Sequence, residues 1–395
     1  MISTDYLHCT YCRACIQACP KKCISTKETE DGFRFPVVDE SLCVNCGKCN
    51  AVCPIEKVSS KPKIFAYAAR SKQKEMLDEA SSGGVFGAIA ECILKKNGVV
   101  YGCAFSQQFE AKHIRVDSID DLHLLFGSKY VQSDVDKSYN LIKKDLEADK
   151  WVVFSGTPCQ VAGLRHYLGK EYEKLVLVDL VCHGVPSQAY FDKYRKWLEE
   201  REGGRLLDYQ FRSKKNHGWS LAGEYTIIKE NGNKKKKKLF YFDHYYYHYF
   251  LESSIYRECC YSCKYSNLNR EGDFSLGDLW GAESLQLNFD ISRGCSLLLV
   301  NTDKARSVLD ELDIQKKEIN IETAVKYNEQ LVRPSRLHPN RENRLRSFRE
   351  YSGDELQKDF LTQNRFARIK GKIKYLIPVS VARYIIKIRY KIGLR

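Results

Sequence analysis

Cys9-x-x-Cys12-x-x-Cys15-x-x-x-Cys19-Pro20 returns later in the chain as Cys43-x-x-Cys46-x-x-Cys49-x-x-x-Cys53-Pro54. Runs of this spacing hold iron–sulfur cubes: three cysteines of each run bind one 4Fe–4S cluster, and the fourth crosses to the other cluster. Cys9, Cys12, Cys15 and Cys53 are expected on one cube, and Cys43, Cys46, Cys49 and Cys19 on the second. Two-residue gaps let the backbone wrap a cube, and Pro20 and Pro54 turn the chain where no N–H is required. Zinc would ask for short ligand pairs set far apart. Cys23 falls outside the pattern and is expected to be a small buried hydrophobe.

The two runs make this stretch a bacterial-type two-cluster ferredoxin module, with Gly32 to Val38 alternating like a strand between its halves. A chain of 395 residues has room for further domains. Hydrophobic residues at 43% fit a globular protein. The start lacks the charged and apolar regions of a signal peptide, and no apolar run is long enough to span a bilayer. Seventeen cysteines then imply a reducing cytoplasm, and metal rather than disulfides. Of a net charge of +14, ten positive charges fall between Arg365 and Arg395, where there is no Asp or Glu. The body is therefore not expected to bind nucleic acid.

Ser59-Ser60-Lys61-Pro62-Lys63 marks a boundary. A strand is expected over 64–69, then the turn Ser81-Ser82-Gly83-Gly84, a helix from Val85 to Lys96 and a strand from Val99 to Phe105. Small residues at a helix N-terminus let backbone amides approach an anion, which makes Ser81 to Gly84 a candidate phosphate cradle; a plain turn with a serine cap also accounts for it. No G-x-G-x-x-G or Walker sequence is present. In the polar turn 127–133, Lys129 can meet a phosphate and Tyr130 can stack on a flat ring, or the segment is an ordinary loop before a helix over 136–149.

A strand over 151–154 leads into Ser155-Gly156-Thr157-Pro158-Cys159-Gln160 and a helix to Leu168. A strand from Leu175 to Val181 leads into Cys182-His183-Gly184 and a helix over 188–200. Cys159 and Cys182 thus close two successive strands, where ligands bind in open α/β sheets. The helix dipole is expected to favour thiolate at Cys159. His183 is a structural hydrogen-bonding group or a proton donor. Residues 206–242 read as β-rich, with a hairpin at Asn231-Gly232 and lysines 234–238 as a solvated edge. Cys260-x-x-Cys263 is a separate ligand signature, preceded by Cys259, which leaves the register open by one residue. A strand over 296–301 and a helix over 304–312 complete the pattern.

The motifs Ser81-Ser82-Gly83-Gly84, Lys129 to Ser133, Gly156-Thr157-Pro158-Cys159-Gln160, Cys182-His183-Gly184, Cys260-Tyr261-Ser262-Cys263 and Leu276-Gly277-Asp278-Leu279-Trp280-Gly281, in this order, resemble the family of coenzyme F420 hydrogenase/dehydrogenase beta subunits. The resemblance implies an iron–sulfur flavoprotein passing electrons between clusters, FAD and a small-molecule substrate, either the deazaflavin coenzyme or an intermediate of glycan biosynthesis. It also implies a redox partner, a ferredoxin or a dehydrogenase subunit. FAD is expected near Ser81, Ser82, Gly83, Gly84, Lys129, Tyr130, Gln132 and Ser133. A third 4Fe–4S cluster is expected on Cys159, Cys182, Cys260 and Cys263. No catalytic proton donor stands out.

The expected fold is multidomain α+β and α/β: a ferredoxin module at 1–60, an α/β flavin-binding unit in two parts, 61–150 and 151–350, and a basic amphipathic tail at 351–395. Two other classes are kept: an electron-transfer subunit whose substrate site lies on a partner, and a non-catalytic iron–sulfur scaffold in polysaccharide assembly. In the tail, Phe366, Ile369, Ile373, Leu376 and Ile377 form one apolar stripe, and Val381, Tyr384, Ile385, Ile388 and Ile392 a second. Both are flanked by Lys and Arg, the pattern of a helix lying on an anionic membrane face; a terminal helix packed on its own domain gives the same pattern.

Overall fold

The computed structural model describes residues 7–55, 64–377 and 381, with only the backbone of Asn216. The boundary segment 59–63 and the second apolar stripe of the tail, apart from Val381, lie outside the described residues.

The N-terminal module pairs β1 (Ile24–Glu28) antiparallel with β2 (Arg34–Val38). The alternation over 32–38 identifies β2; its partner, exposed at four of five positions, carries no such signal. Two short helices, Ala14–Ala18 and Lys48–Ala51, sit in equivalent places of the two halves.

The body is built on one eight-stranded sheet. Its strands are β3 (Phe65–Ser71), β4 (Val99–Phe105), β5 (Ala111–Val116), β6 (Val152–Gly156) and β7 (Leu175–Leu180). A separate three-stranded antiparallel sheet holds β8 (Arg205–Gln210), β9 (Ala222–Ile228) and β10 (Lys234–Phe240). The main sheet is completed by β11 (Phe274–Asp278), β12 (Ser296–Val300) and β13 (Ile314–Ile319). Its order is β13-β3-β12-β11-β7-β6-β4-β5, with β4, β6, β7 and β11 parallel. Strands from both sides of residue 150 interleave, so the expected division at 150/151 falls inside one sheet. The central strands read as apolar runs, such as Val152-Val153-Phe154 and Leu175-Val176-Leu177-Val178, because helices cover both faces.

The expected helix at 85–96 is Val85–Leu94, ended by a tighter turn before Gly98. The helix after β6 begins at Pro158, where Pro at the first position needs no N–H partner. β10 lies at the edge of the small sheet, and its lysines are mostly exposed, as expected of a guarded edge. Among the described residues, no helix is long and apolar enough to cross a membrane.

The two regions are fastened together. Buried Arg257 donates from Nε to the Cys9 carbonyl at 2.8 Å and from Nη2 to the Arg34 carbonyl at 2.8 Å, with its guanidinium 4.1 Å from the centre of the Phe35 ring. Arg13 pairs with Asp134, and Tyr265 donates to the Pro54 carbonyl at 3.2 Å. Cys12 packs in the same apolar cluster as Tyr139, Phe154 and Val161 of the body.

Candidate functional site

Two pockets in the N-terminal module gather the cysteines of both runs. One is lined by Cys9, Cys12, Cys15 and Cys53, the other by Cys19, Cys43, Cys46 and Cys49, with Cys23 as a fifth cysteine in its wall. Cys53 and Cys19 thus exchange partners between the runs. The repeat extends to the backbone: Tyr11 and Asn45 have φ of 54° and 51°, and Arg13 and Gly47 have 63° and 72°. Left-handed residues in alternation turn successive N–H groups into a concavity that favours negative charge, which suits sulfide and thiolate. Cys15 is pushed up to about 12 by burial and by the neighbouring Cys9 and Cys53 thiols. Such thiols ionise only when a cation shares the pocket. Cys23 is buried beside Cys15 and Ile24, and it also lines the second pocket, its Sγ 3.3 Å from that of Cys19.

A third pocket gathers Cys159, Cys182, Cys259, Cys260 and Cys263. Cys159 sits in the first turn after β6. There Gln160 accepts the Thr157 N–H at 3.0 Å and donates to the Ser133 carbonyl at 3.0 Å, which fixes the turn. Cys182 follows the end of β7. The loop bearing Cys263 is held by Arg270, which donates to the Tyr265 carbonyl at 3.1 Å, to the Leu180 carbonyl at 2.9 Å and to Asp179 at 2.7 Å. Arg270 and Asp179 are both almost fully buried. Burial pushes Cys159 up to about 12, with Cys263 and Cys259 adding to the rise, and raises Cys182 as well. The dipole effect expected at Cys159 is therefore outweighed by desolvation. Cys259 is buried and its charge also acts on Cys9, whereas Cys260 is partly open. Among the described residues, no three His, Cys, Asp or Glu side chains close on a single metal ion.

Beside this pocket lies a cavity of about 330 Å³, within the range of small-molecule sites. It opens at the carboxyl ends of β4, β6, β7 and β11, through Cys103, Ser155, Leu180 and Asp278. Ser81, Ser82 and Gly84 line it, as do Lys129, Tyr130 and Ser133. Gly83 is absent from the wall. Its N–H donates to Ser296 Oγ at 2.9 Å, and a Cβ there would lie 2.5 Å from the Ala69 carbonyl oxygen. Its smallness thus serves packing on the sheet rather than an approach to phosphate. Gly84 caps the Val85–Leu94 helix at φ 77°, a conformation that L side chains rarely adopt.

Lys129 donates from Nζ to the Phe126 carbonyl at 2.6 Å, and burial lowers its pKa to about 8. Tyr130 stacks on Phe250 at 4.2 Å, so that ring face is already covered. Gln132 lies in the cysteine pocket instead, donating to the Thr10 carbonyl at 3.0 Å. His183 opens onto the cavity, and desolvation lowers its pKa.

Sequence reading passed over His113 in the wall, and Arg212 and Trp219 behind it, which hold the wall residues Asp278 and Trp280. His113 donates from Nε2 to the Ser155 carbonyl at 3.0 Å, while its buried Nδ1 has no hydrogen-bond partner. At the far side Asp278 accepts from Arg212 at 2.7 Å and Trp219 at 2.9 Å, and Trp219 and Trp280 stack 5.3 Å apart. Only the strand order brings β5 and the 212–219 segment here; no local pattern announces it.

Residues 149–326 match the family model for the C terminus of the coenzyme F420 hydrogenase/dehydrogenase beta subunit, and residues 8–57 match the 4Fe-4S dicluster domain. One F(420)H(2) dehydrogenase subunit, from Methanosarcina mazei, is 26% identical over 196 residues, which are 44% of this chain and 53% of that protein. A ferredoxin of Mycolicibacterium smegmatis is 39% identical over 75 residues, 18% of this chain and 66% of its own. The chain thus spans about half the length of the dehydrogenase protein and just under two thirds of the ferredoxin. A chain of the F420-reducing NiFe hydrogenase complex of Methanosarcina barkeri superposes with a TM-score of 0.40 at 16% identity, covering 76% of this chain and 92% of that one. This protein therefore joins a 4Fe–4S dicluster domain to the C-terminal region that defines the family of coenzyme F420 hydrogenase/dehydrogenase beta subunits.

Proposed function

We propose that this chain is an FAD-dependent iron–sulfur oxidoreductase that moves electrons between its ferredoxin module and a small-molecule substrate. One observation carries the reading: the sites are contiguous. The first dicluster pocket and the third cysteine pocket share Thr10, and the third pocket and the large cavity share Ser133, Thr157, Gln160, Cys182 and His183. Cys159, Cys182, Cys260 and Cys263 would hold a third 4Fe–4S cluster. Burial and mutual repulsion hold Cys159 and Cys182 protonated, and a metal cluster supplies the charge that turns them into thiolate ligands. FAD, when bound in the cavity, exchanges single electrons with clusters and a hydride with a substrate.

This chain's residues do the rest. Lys129 offers a desolvated ammonium to a phosphate, His113 Nδ1 offers an unpaired polar atom, and the apolar walls around Val181 and Leu276 exclude water. The Lys129 ammonium suits the anionic part of such a cofactor, and Nδ1, left as an acceptor because Nε2 donates to the Ser155 carbonyl, suits one of its N–H or O–H groups. The substrate class is the deazaflavin coenzyme or a glycan-biosynthesis intermediate, and the redox partner a ferredoxin or dehydrogenase subunit in the cytoplasm.

Cofactor analysis of anaerobically purified protein tests this. About twelve irons per chain and one released FAD support it, whereas about eight irons leave only the dicluster module. Cys260→Ser should lower the count by about four while Cys259→Ser leaves it unchanged; the reverse result moves the ligand to Cys259. Gly84→Val and Lys129→Ala should each release FAD from folded protein.

The relation to a protein named as a dehydrogenase subunit favours a second reading, an electron-transfer subunit whose substrate site lies on a partner. Turnover of deazaflavin or a nucleotide sugar by the isolated chain with an artificial donor decides against it. A reducible visible spectrum decides against a structural scaffold.

A further inference from the structure

We infer that the helix Arg365–Leu376 is a peripheral anchor that lays this protein on an anionic lipid surface. The helix has two opposed faces. The inner face is fixed to the body. Arg368 pairs with Asp243 at 2.7 Å, and the Tyr375 ring packs 4.9 Å from Phe240, 5.6 Å from Phe242 and 5.0 Å from His217. Gly371 lets the helix approach closely, since a Cβ there would come within 2.4 Å of the Phe242 ring.

The outer face is apolar and bare. Phe366 is 86% exposed, Ile369 49%, Ile373 56% and Leu376 80%. Steps of three and four residues place these side chains in one stripe along the helix. At 3.6 residues per turn, Arg365 and Lys372 fall on one side of the stripe and Lys370 and Lys374 on the other, and all four are exposed. A terminal helix that merely packs on its own domain turns its apolar stripe inward; this one turns it out.

Charge complementarity selects the occupant. Residues 365–395 contain no Asp or Glu. The helix docks beside β10, whose Phe240 and Lys238 share a strand face by their even spacing. Basic side chains from the edge strand and from the helix therefore gather on one side of the molecule. Long Lys and Arg stems flanking an apolar stripe let that stripe sink to the acyl boundary while their charges stay at the headgroups. A protein partner is the poorer fit. A 12-residue helix is about 18 Å long, and one stripe of it is far short of the roughly 1,200 Å² of a stable protein interface.

The test is sedimentation of the full chain with vesicles of phosphatidylcholine alone and of phosphatidylcholine mixed with phosphatidylglycerol, at low and high salt. The chain should pellet with the anionic vesicles only and be released by salt. Two triple variants, Phe366→Glu with Ile373→Glu and Leu376→Glu, and Lys370→Glu with Lys372→Glu and Lys374→Glu, should each lower the bound fraction at least about tenfold, in line with apolar and electrostatic contributions to interfacial binding. These side chains are exposed, so iron content and the thermal transition should be unchanged, which separates loss of binding from loss of fold. No pelleting with anionic vesicles overturns the inference. So does pelleting of both variants at the level of the parent chain, or a self-association that the apolar variant abolishes in a chain that binds no vesicle.

Discussion

The two kinds of cysteine site in this molecule are built on opposite plans. The dicluster pockets draw eight thiols from two short runs, and the apolar cluster beside them is small, with Cys15, Cys23 and Ile24 buried in it. The third pocket draws its thiols from the ends of β6 and β7 and from a loop held by the Arg270–Asp179 pair. Beneath it lies a sheet with large apolar clusters on either side. One site has little apolar packing of its own; the other rests on the apolar core of the body.

Removing the iron should expose that difference most. A module of this size, residues 7–55, commonly needs metals or disulfides to supplement its small core, and metal binding is then folding free energy. Anaerobic chelation should abolish amide-exchange protection across residues 7–55 and leave β4, β6 and β7 protected. Equal loss in both regions would break the comparison.

Substituting Arg270 strikes the scaffold itself. Arg270→Ala leaves the buried Asp179 carboxylate without its cation, and breaking a buried pair from one side costs about 3–5 kcal/mol. Urea unfolding followed by tryptophan fluorescence should report a loss of that size, and a loss below about 1 kcal/mol would mean that the pair is not needed to hold the loop bearing Cys263.

Acid should weaken the same scaffold. Burial lowers His113 from its ordinary 6.5 to about 4. Between those values the unfolded chain binds a proton there that the folded chain does not, so this contribution is complete above about pH 6.5 and is lost as pH falls. By pH 5 the loss is about 2 kcal/mol. His113→Asn should flatten the stability profile by that amount between pH 7 and 5. Burial depresses His244 in the same direction, so part of the slope remains.

The contact between the two sites is the finest test. A Cβ on Gly163 would lie 2.8 Å from Cys12 Cβ and 2.9 Å from the Tyr139 hydroxyl. Gly163→Ala should therefore cost about 1–3 kcal/mol through overpacking, read as a lower thermal midpoint with the iron count intact. Loss of iron with unchanged stability would place Gly163 in support of the cluster alone.

Much of this was open to reading along the chain. The spacing of Cys9 to Cys53 specifies a dicluster site because two- and three-residue gaps fix where neighbouring thiols point. Apolar runs at 99–105, 152–154 and 175–178 mark buried strands, since only side chains covered on both faces omit the polar alternation. Other features were invisible for equally physical reasons. β1 is nearly all exposed, so its burial pattern carries no signal. Gly83 looks like a phosphate-binding glycine, yet it makes room for the backbone of β12. The dipole at Cys159 is a local property, whereas desolvation depends on everything packed around it.

The dicluster domain, the succession of strands and helices in the central sheet region and the apolar stripe of the tail were all legible in the residues alone. Each is written in spacings of a few residues, and short-range geometry converts such spacings directly into shape. That the third set of thiols adjoins both the ferredoxin module and the large cavity came from the folded molecule. So did the placing of His113 in the wall of that cavity and of Trp219 and Arg212 behind its Asp278, and the outward turn of the tail helix's stripe. These outcomes depend on which strands become neighbours and which helix face finds a partner, and packing settles both over sequence distances that local pattern does not encode.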